Sequence, residues 1–187
     1  DMLEGDILIN LDSEQEGELC IGCAGGLDAV ADFAYDTLVA PDGYKAFKAS
    51  VKGLQGGHSG MDISLYRGNA NKIVARAIVD SVEKEGALLS DFTGGSLRNA
   101  IPFEAAAVIL VPEAKVDAVK AKVMASFAAT KKCLEYSDPD MEYNFEEVEC
   151  PVGYICNNVA VNALKAIIVC PSGVVRMSQS MPGLIET

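Results

Sequence analysis

Across residues 44–150 the spacing of the apolar residues changes from segment to segment, and the order of those changes restricts the fold more than any other feature of the chain. YKAFKASVKGL (44–54) alternates, with Tyr44, Ala46, Lys48 and Ser50 on one side and Phe47, Ala49 and Val51 on the other, which is the period of a strand. NANKIVARAIVDSVEKEG (69–86) sets Ile73, Ala77, Ile78 and Val82 at helical spacing, and Gly86 supplies a stop. ALLSDFTGG reads as a short strand and FEAAAVILVP as a central one, with SLRNAIP between them as a turn, because Pro102 disfavours helix at Ile101. AKVDAVKAKVMASFAATKKCLEY (114–136) is a second amphipathic helix, SDPD breaks it, and MEYNFEEVEC (141–150) alternates again. The succession β-α-β-β-α-β predicts an α+β fold of the ferredoxin-like kind: a four-stranded antiparallel sheet with two helices on one face. The other face, or an edge strand, is left for a partner.

The flanks are less regular. DILINLD (6–12) reads as a buried strand ending on acidic residues, LCIGCAGG as a short strand closed by glycines, and 27–42 as an irregular connection ending in the turn Pro41-Asp42-Gly43. After the core, NNVAVNALKAIIVC reads as a helix, and PSGVVRMS with PGLIET as turn and strand pieces. The chain opens and closes on strand-like runs, so it reads as a piece of a longer protein.

Charge and composition exclude several roles. With 15 Lys and Arg against 27 Asp and Glu, the net charge is −12, which argues against nucleic acid as a partner because a basic face is needed to displace phosphate counterions. The longest apolar runs, such as AAAVILV (105–111), fall far short of a membrane span, and no signal segment opens the chain. A globular domain with its own core is expected from 187 residues of which half are hydrophobic. Of the six cysteines only Cys20 and Cys23 form a C-x-x-C pair, whereas a zinc ribbon needs a second pair or two histidines. A thioredoxin-like site would place the pair between strand and helix, but ELCIGCAGG runs into glycines. Reduced, buried thiols are expected, and these fit the cytoplasm.

Three stretches hold residues suited to chemistry. GLQGGHSGMDIS (53–64) carries the only histidine, His58, in a glycine loop between a strand and a helix. Glycines let the backbone approach a ligand, and a histidine so placed can donate a hydrogen bond to a developing oxyanion; a plain turn is the other reading. Ser59 is no nucleophile, since no second histidine serves as its base. Asp12 stands at the end of a strand, followed by Glu14, Glu16 and Glu18; it is either part of a solvated acidic loop or a ligand for a metal. In GGSLRNAIP (94–102), Arg98 and Asn99 lie at a turn, where Asn99 is either a turn former or a contact for a substrate carbonyl or carboxylate.

GLQGGHSGMDIS followed by GNANK, then GGSLRNAIP at a matching separation, resembles the M20 metallopeptidases, and among them the aminoacyl-histidine dipeptidases. DILINLDSEQEGELCIGCAGG and VVRMSQSMPGLIET are similar to the segments by which that group leaves and re-enters its catalytic domain. The resemblance implies a lid or dimerisation domain inserted into a catalytic domain that carries two bridged zinc ions. It divides the chain into an end of the catalytic domain and linker (1–43), the ferredoxin-like lid (44–150) and a helix with the return segment (151–187). Residue by residue, it makes His58 the lid histidine that stabilises the tetrahedral oxyanion, in dimers that of the neighbouring subunit, Asn99 a substrate contact and Asp12 a ligand of one zinc ion. Arg98 and Arg176 are weaker candidates. The family's H-x-D, bridging aspartate, Glu-Glu pair and C-terminal zinc histidine have no counterpart here, so the chain alone is expected to be inert and to bind no zinc. Its implied partners are a dipeptide substrate, the catalytic domain of the same polypeptide and a second copy. The rival readings are a regulatory or interaction module of the same fold, and the lid of an M20 amidohydrolase or tripeptidase.

Overall fold

The computed structural model describes residues 5–7, 9, 16, 17, 19 and 25–187. The chain divides into two compact units, residues 1–31 and 32–187. The strands expected at DILINLD and LCIGCAGG fall mostly outside the described residues, and Asp12, Glu14, Glu18, Cys20 and Cys23 wholly so.

In the second unit the alternating segments form strands β2 (Tyr44–Lys52), β3 (Leu88–Gly94), β4 (Ala105–Pro112) and β5 (Glu142–Val148), preceded by a short β1 (Thr37–Val39). The helical segments form α1 (Ala70–Lys84) and α2 (Val116–Cys133). The sheet runs β3-β4-β2-β5 with every pair antiparallel, which is the ferredoxin-like order. Its registers set Ala49 between Ala107 and Phe145, so the side chains that alternate onto one face form a continuous apolar floor. That face carries Phe47, Ala49, Val51, Leu89, Ala105, Ala107, Ile109, Val111 and Phe145, all buried, with Phe47 and Phe145 stacked at a centroid separation of 5.0 Å.

The helices lie on this floor. Helix α1 starts at Asn69, whose side chain accepts from the Lys72 amide at 3.3 Å, and it buries Ile73, Val74, Ala77, Ile78 and Val82. Helix α2 buries Val119, Val123 and Phe127, one residue per turn, and Phe127 meets Tyr143 of β5 at 5.5 Å between ring centroids. A third helix, α3 (Asn157–Val169), lies beside α1 and buries Ala160 and Leu164. Lys72 ties the two together: its ammonium donates to the carbonyls of Ile168, at 2.7 Å, and Cys170, which satisfies acceptors at the end of α3. Loss of water around Lys72, and then the nearby Arg76 charge, hold its pKa below the ordinary lysine value.

Two features go beyond the sequence reading. Within the stretch expected to be irregular, Thr37–Val39 pairs antiparallel with β6 (Gly153–Ile155). Strand β3 carries a bulge between Leu89 and Asp91, and there the Ser90 hydroxyl donates to the Gly153 carbonyl at 2.6 Å, fastening the two-stranded ribbon to the sheet edge. The C-terminal strand pieces meet in a bridge between Met177 and Ile185. No helix among the described residues is long and apolar enough to cross a membrane.

Candidate active-site loop

His58 stands on the connection between β2 and α1, exposed at the tip of a loop whose inner residues Leu54 and Gly56 are buried. Backbone bonds set it beside the β3–β4 connection. The Ser59 amide donates to the Asn99 carbonyl at 2.9 Å and the Ile101 amide donates to the Gly57 carbonyl at 2.8 Å, with an antiparallel bridge between His58 and Ala100. The structure thus brings His58 and Asn99 together, although they lie on different connections of the fold. Asn99 is exposed in the turn, which agrees with both readings of it.

The imidazole has a defined orientation. Its Nδ1 accepts from the backbone amides of Gly60, at 3.0 Å, and Met61, at 3.1 Å. A nitrogen that accepts carries no proton, so the ring is the tautomer with its proton on Nε2 and presents that N–H outward. Inside the loop, Asp62 Oδ2 accepts from the His58 amide at 2.8 Å, while the Asp62 amide donates back to the His58 carbonyl at 3.0 Å. Arg67 lies 3.8 Å from that carboxylate and donates to the Gly56 carbonyl at 2.7 Å.

Gly57 makes this packing practicable. Its φ is +126°, and a Cβ would stand 2.5 Å from the Arg67 guanidinium and 2.6 Å from Asp62 Oδ2. Tyr66, at φ +53°, is the one described non-glycine residue in left-handed conformation, and it closes the short helical turn Ile63–Leu65.

Of the other candidates, Asp12 is outside the described residues. Arg98 is exposed in the same turn as Asn99. Arg176 sits elsewhere, in the C-terminal bridge region, with its Nε 2.8 Å from Glu186. The sequence reading missed Asp62, Arg67 and the buried Asp138, all bound to the loop. Asp62 had a usable signal, four residues after His58 in a run of glycines, where a short acid often bonds a nearby amide. Among the described residues no group of three or more His, Cys, Asp or Glu side chains could hold a metal ion.

Chemically, the loop offers one fixed N–H donor on an exposed arm, joined by backbone to an asparagine, and among the described residues no metal-binding cluster stands beside it. Comparison with known proteins gives this arrangement its setting. The peptidase dimerisation domain family matches residues 49–132. The cytosol non-specific dipeptidase of Escherichia coli (strain K12) is 38% identical over 185 residues, an alignment covering 99% of this chain and 38% of that protein. The crystal structure of aminoacylhistidine dipeptidase from Vibrio alginolyticus matches with a TM-score of 0.78 at 33% identity, over 82% of this chain and 31% of that one.

The chain is homologous to the M20 peptidases, whose dimerisation domain its residues 49–132 match. Within that family, its homology is to the aminoacyl-histidine dipeptidases, and it spans about a third of the relatives' length, 38% of the Escherichia coli protein and 31% of the Vibrio alginolyticus one.

Proposed function

We propose that this chain is the lid and dimerisation region of a zinc-dependent cytoplasmic dipeptidase that hydrolyses Xaa-His and related dipeptides. The observation that carries the reading is the His58 imidazole, with Nδ1 engaged by two amides and Nε2–H free to donate from an exposed loop. That is the tautomer an oxyanion requires, and fixing it before substrate arrives avoids reorganisation during the reaction. Asn99, held one backbone bond away, orients the substrate. The peptide is cleaved by groups on the catalytic domain, against which residues 44–150 act as the lid, with 1–43 leading into it and 151–187 leading back. A second copy of the chain completes the assembly.

The described residues do not fit a zinc site. No donor set converges, and the single imidazole has one nitrogen already bonded. Of the residues in this chain, the reading gives zinc only Asp12. His58→Ala in the complete enzyme tests the proposal: kcat and kcat/KM fall together by about 10²–10³, the usual cost of one oxyanion donor, at unchanged zinc content. Unchanged turnover rejects the role of His58, and dipeptide hydrolysis by this chain alone rejects the division of labour.

A further inference from the structure

Asp138 lies on the turn between α2 and β5 and has no exposed surface. It nevertheless bonds a segment at least 70 residues earlier in the chain. Its Oδ1 accepts from the Gln55 amide at 2.9 Å, and its Oδ2 accepts from the Gly68 amide at 2.8 Å and from the Ser137 hydroxyl at 2.8 Å. Gln55 and Gly68 bracket the His58 loop, so one carboxylate holds both of its ends. Hydrogen bonds to an ionised acceptor are about twice as strong as neutral ones, and a buried carboxylate has no water to turn to.

The turn that presents Asp138 is itself fixed. Its amide donates to the Leu134 carbonyl at 2.8 Å, its carbonyl accepts from the Met141 amide at 3.1 Å, and Pro139 disfavours helical conformation at it. The chain also enters the loop pressed against this turn. Gly53 has φ +75°, and a Cβ on it would lie 2.4 Å from the Asp140 carbonyl oxygen. None of these hydrogen bonds reaches the imidazole. It acts through the loop, by setting the distance between the loop's ends and hence whether the Gly60 and Met61 amides reach Nδ1.

We propose that Asp138 is a positioning residue for His58, a buried staple that keeps the loop closed and the imidazole in its Nε2–H form. The catalytic consequence rests on the function proposed above; the geometric claim does not, and the two can fail separately. His58 is the only histidine in the chain, so its two ring nitrogens give unambiguous ¹⁵N resonances.

In the wild-type chain, Nδ1 should resonate as an unprotonated nitrogen and Nε2 as a protonated one. Asp138→Asn keeps the size but turns one acceptor into a donor, leaving either Gln55 or Gly68 unpaired. The expected result is averaging of the two ring nitrogens and at least about tenfold faster exchange of the Gly60 and Met61 amides, the behaviour of a loop that opens locally, with core amides of Ala49 and Ile109 unchanged. Ser137→Ala, which spares both loop amides, should leave all of these as they are. If Asp138→Asn does not fold, native-state exchange of the unmodified chain decides. Gln55, Gly68, Gly60 and Met61 should then open as one unit at lower free energy than the core, and opening of Gln55 and Gly68 with the core instead overturns the proposal. So do unchanged ring resonances in a folded Asp138→Asn chain. In the complete enzyme the same variant should lower kcat with KM within about twofold, the signature of a lost transition-state contact. Altered resonances with unaltered kcat would support the staple and count against a catalytic His58.

Discussion

The sheet with its helices and the His58 loop are held in different ways. In the core, Val51, Val74, Ile78, Ile109, Val111, Val123 and Phe127 have at most 1% of their surface exposed and pack on one another. Each such side chain stabilises the fold by about 1.5–3 kcal/mol, and a swap that keeps volume costs less than about 1.5 kcal/mol. In the loop, residues 56–67 are held by a few polar contacts: two amides on Nδ1, the His58 amide on Asp62, the Gly56 carbonyl and Asp62 on Arg67, the backbone bonds to Asn99 and Ile101, and Asp138 at the base. A hydrogen bond contributes only about 0.5–1.5 kcal/mol net, so losing one disturbs the loop before it threatens the fold. The core therefore tolerates variation in detail and fails by unfolding. The loop fails by misplacing one imidazole in a chain that stays folded.

The largest expected effect lies in the core. Phe127→Ala removes a fully buried ring that α2 places against Tyr143, and the cost should be about 3–5 kcal/mol. Against a usual total of about 5–15 kcal/mol, that lowers the urea midpoint sharply. A loss under about 1 kcal/mol would mean that α2 is not part of the cooperative core.

Gly57→Ala comes next and tests the other side of the comparison. A methyl group at φ +126° would stand 2.6 Å from Asp62 Oδ2, so the carboxylate must leave the His58 amide or the backbone must shift. Strain of this kind costs about 1–3 kcal/mol, less than the core substitution. Its effect should concentrate at the loop, with His58 ring resonances displaced and Phe47–Phe145 stacking intact by near-ultraviolet circular dichroism. Equal disturbance of both regions would show that the loop is not a separate unit.

The same contrast governs what could be read from the chain. Periodicity reports burial, so β2, α1, β4 and α2 were legible as stripes of Phe47, Ala49 and Val51 or of Ile73, Ala77 and Ile78, and their order disclosed the ferredoxin-like sheet. A polar bond between distant residues leaves no such trace. Asp138 looks like a helix breaker in SDPD, and only the folded chain shows it holding Gln55 and Gly68. Thr37–Val39 is too short to alternate, and its partner Gly153–Ile155 lies at the far end of the domain. The glycines of GGHSG announced an arm, whereas the tautomer of its histidine depended on where the Gly60 and Met61 amides pointed.

The smallest expected effect belongs to neither region but to the charged surface over the helices. Lys84 bonds Asp80 at 2.7 Å, and Lys122 bonds Glu85. The hydrogen bond from Lys84 holds the Asp80 pKa below its ordinary 3.8, and that from Lys122 holds the Glu85 pKa below its ordinary 4.5. A carboxyl group that is more acidic folded than unfolded adds stability above its unfolded pKa and loses it as the pH falls through the folded value. The two pairs should thus contribute fully at neutral pH and nothing once both carboxylates are protonated. An Asp80→Asn, Glu85→Gln chain should melt slightly below the wild type at pH 7, by less than either substitution above, and the gap should close on acidification below these values. It should also narrow in high salt, because both pairs sit in solvent where counterions screen them. The amide bonds to Nδ1 and those to the buried Asp138 should survive the same salt, so faster exchange of the Gly60 and Met61 amides at high ionic strength would erase the distinction between surface charge and loop geometry.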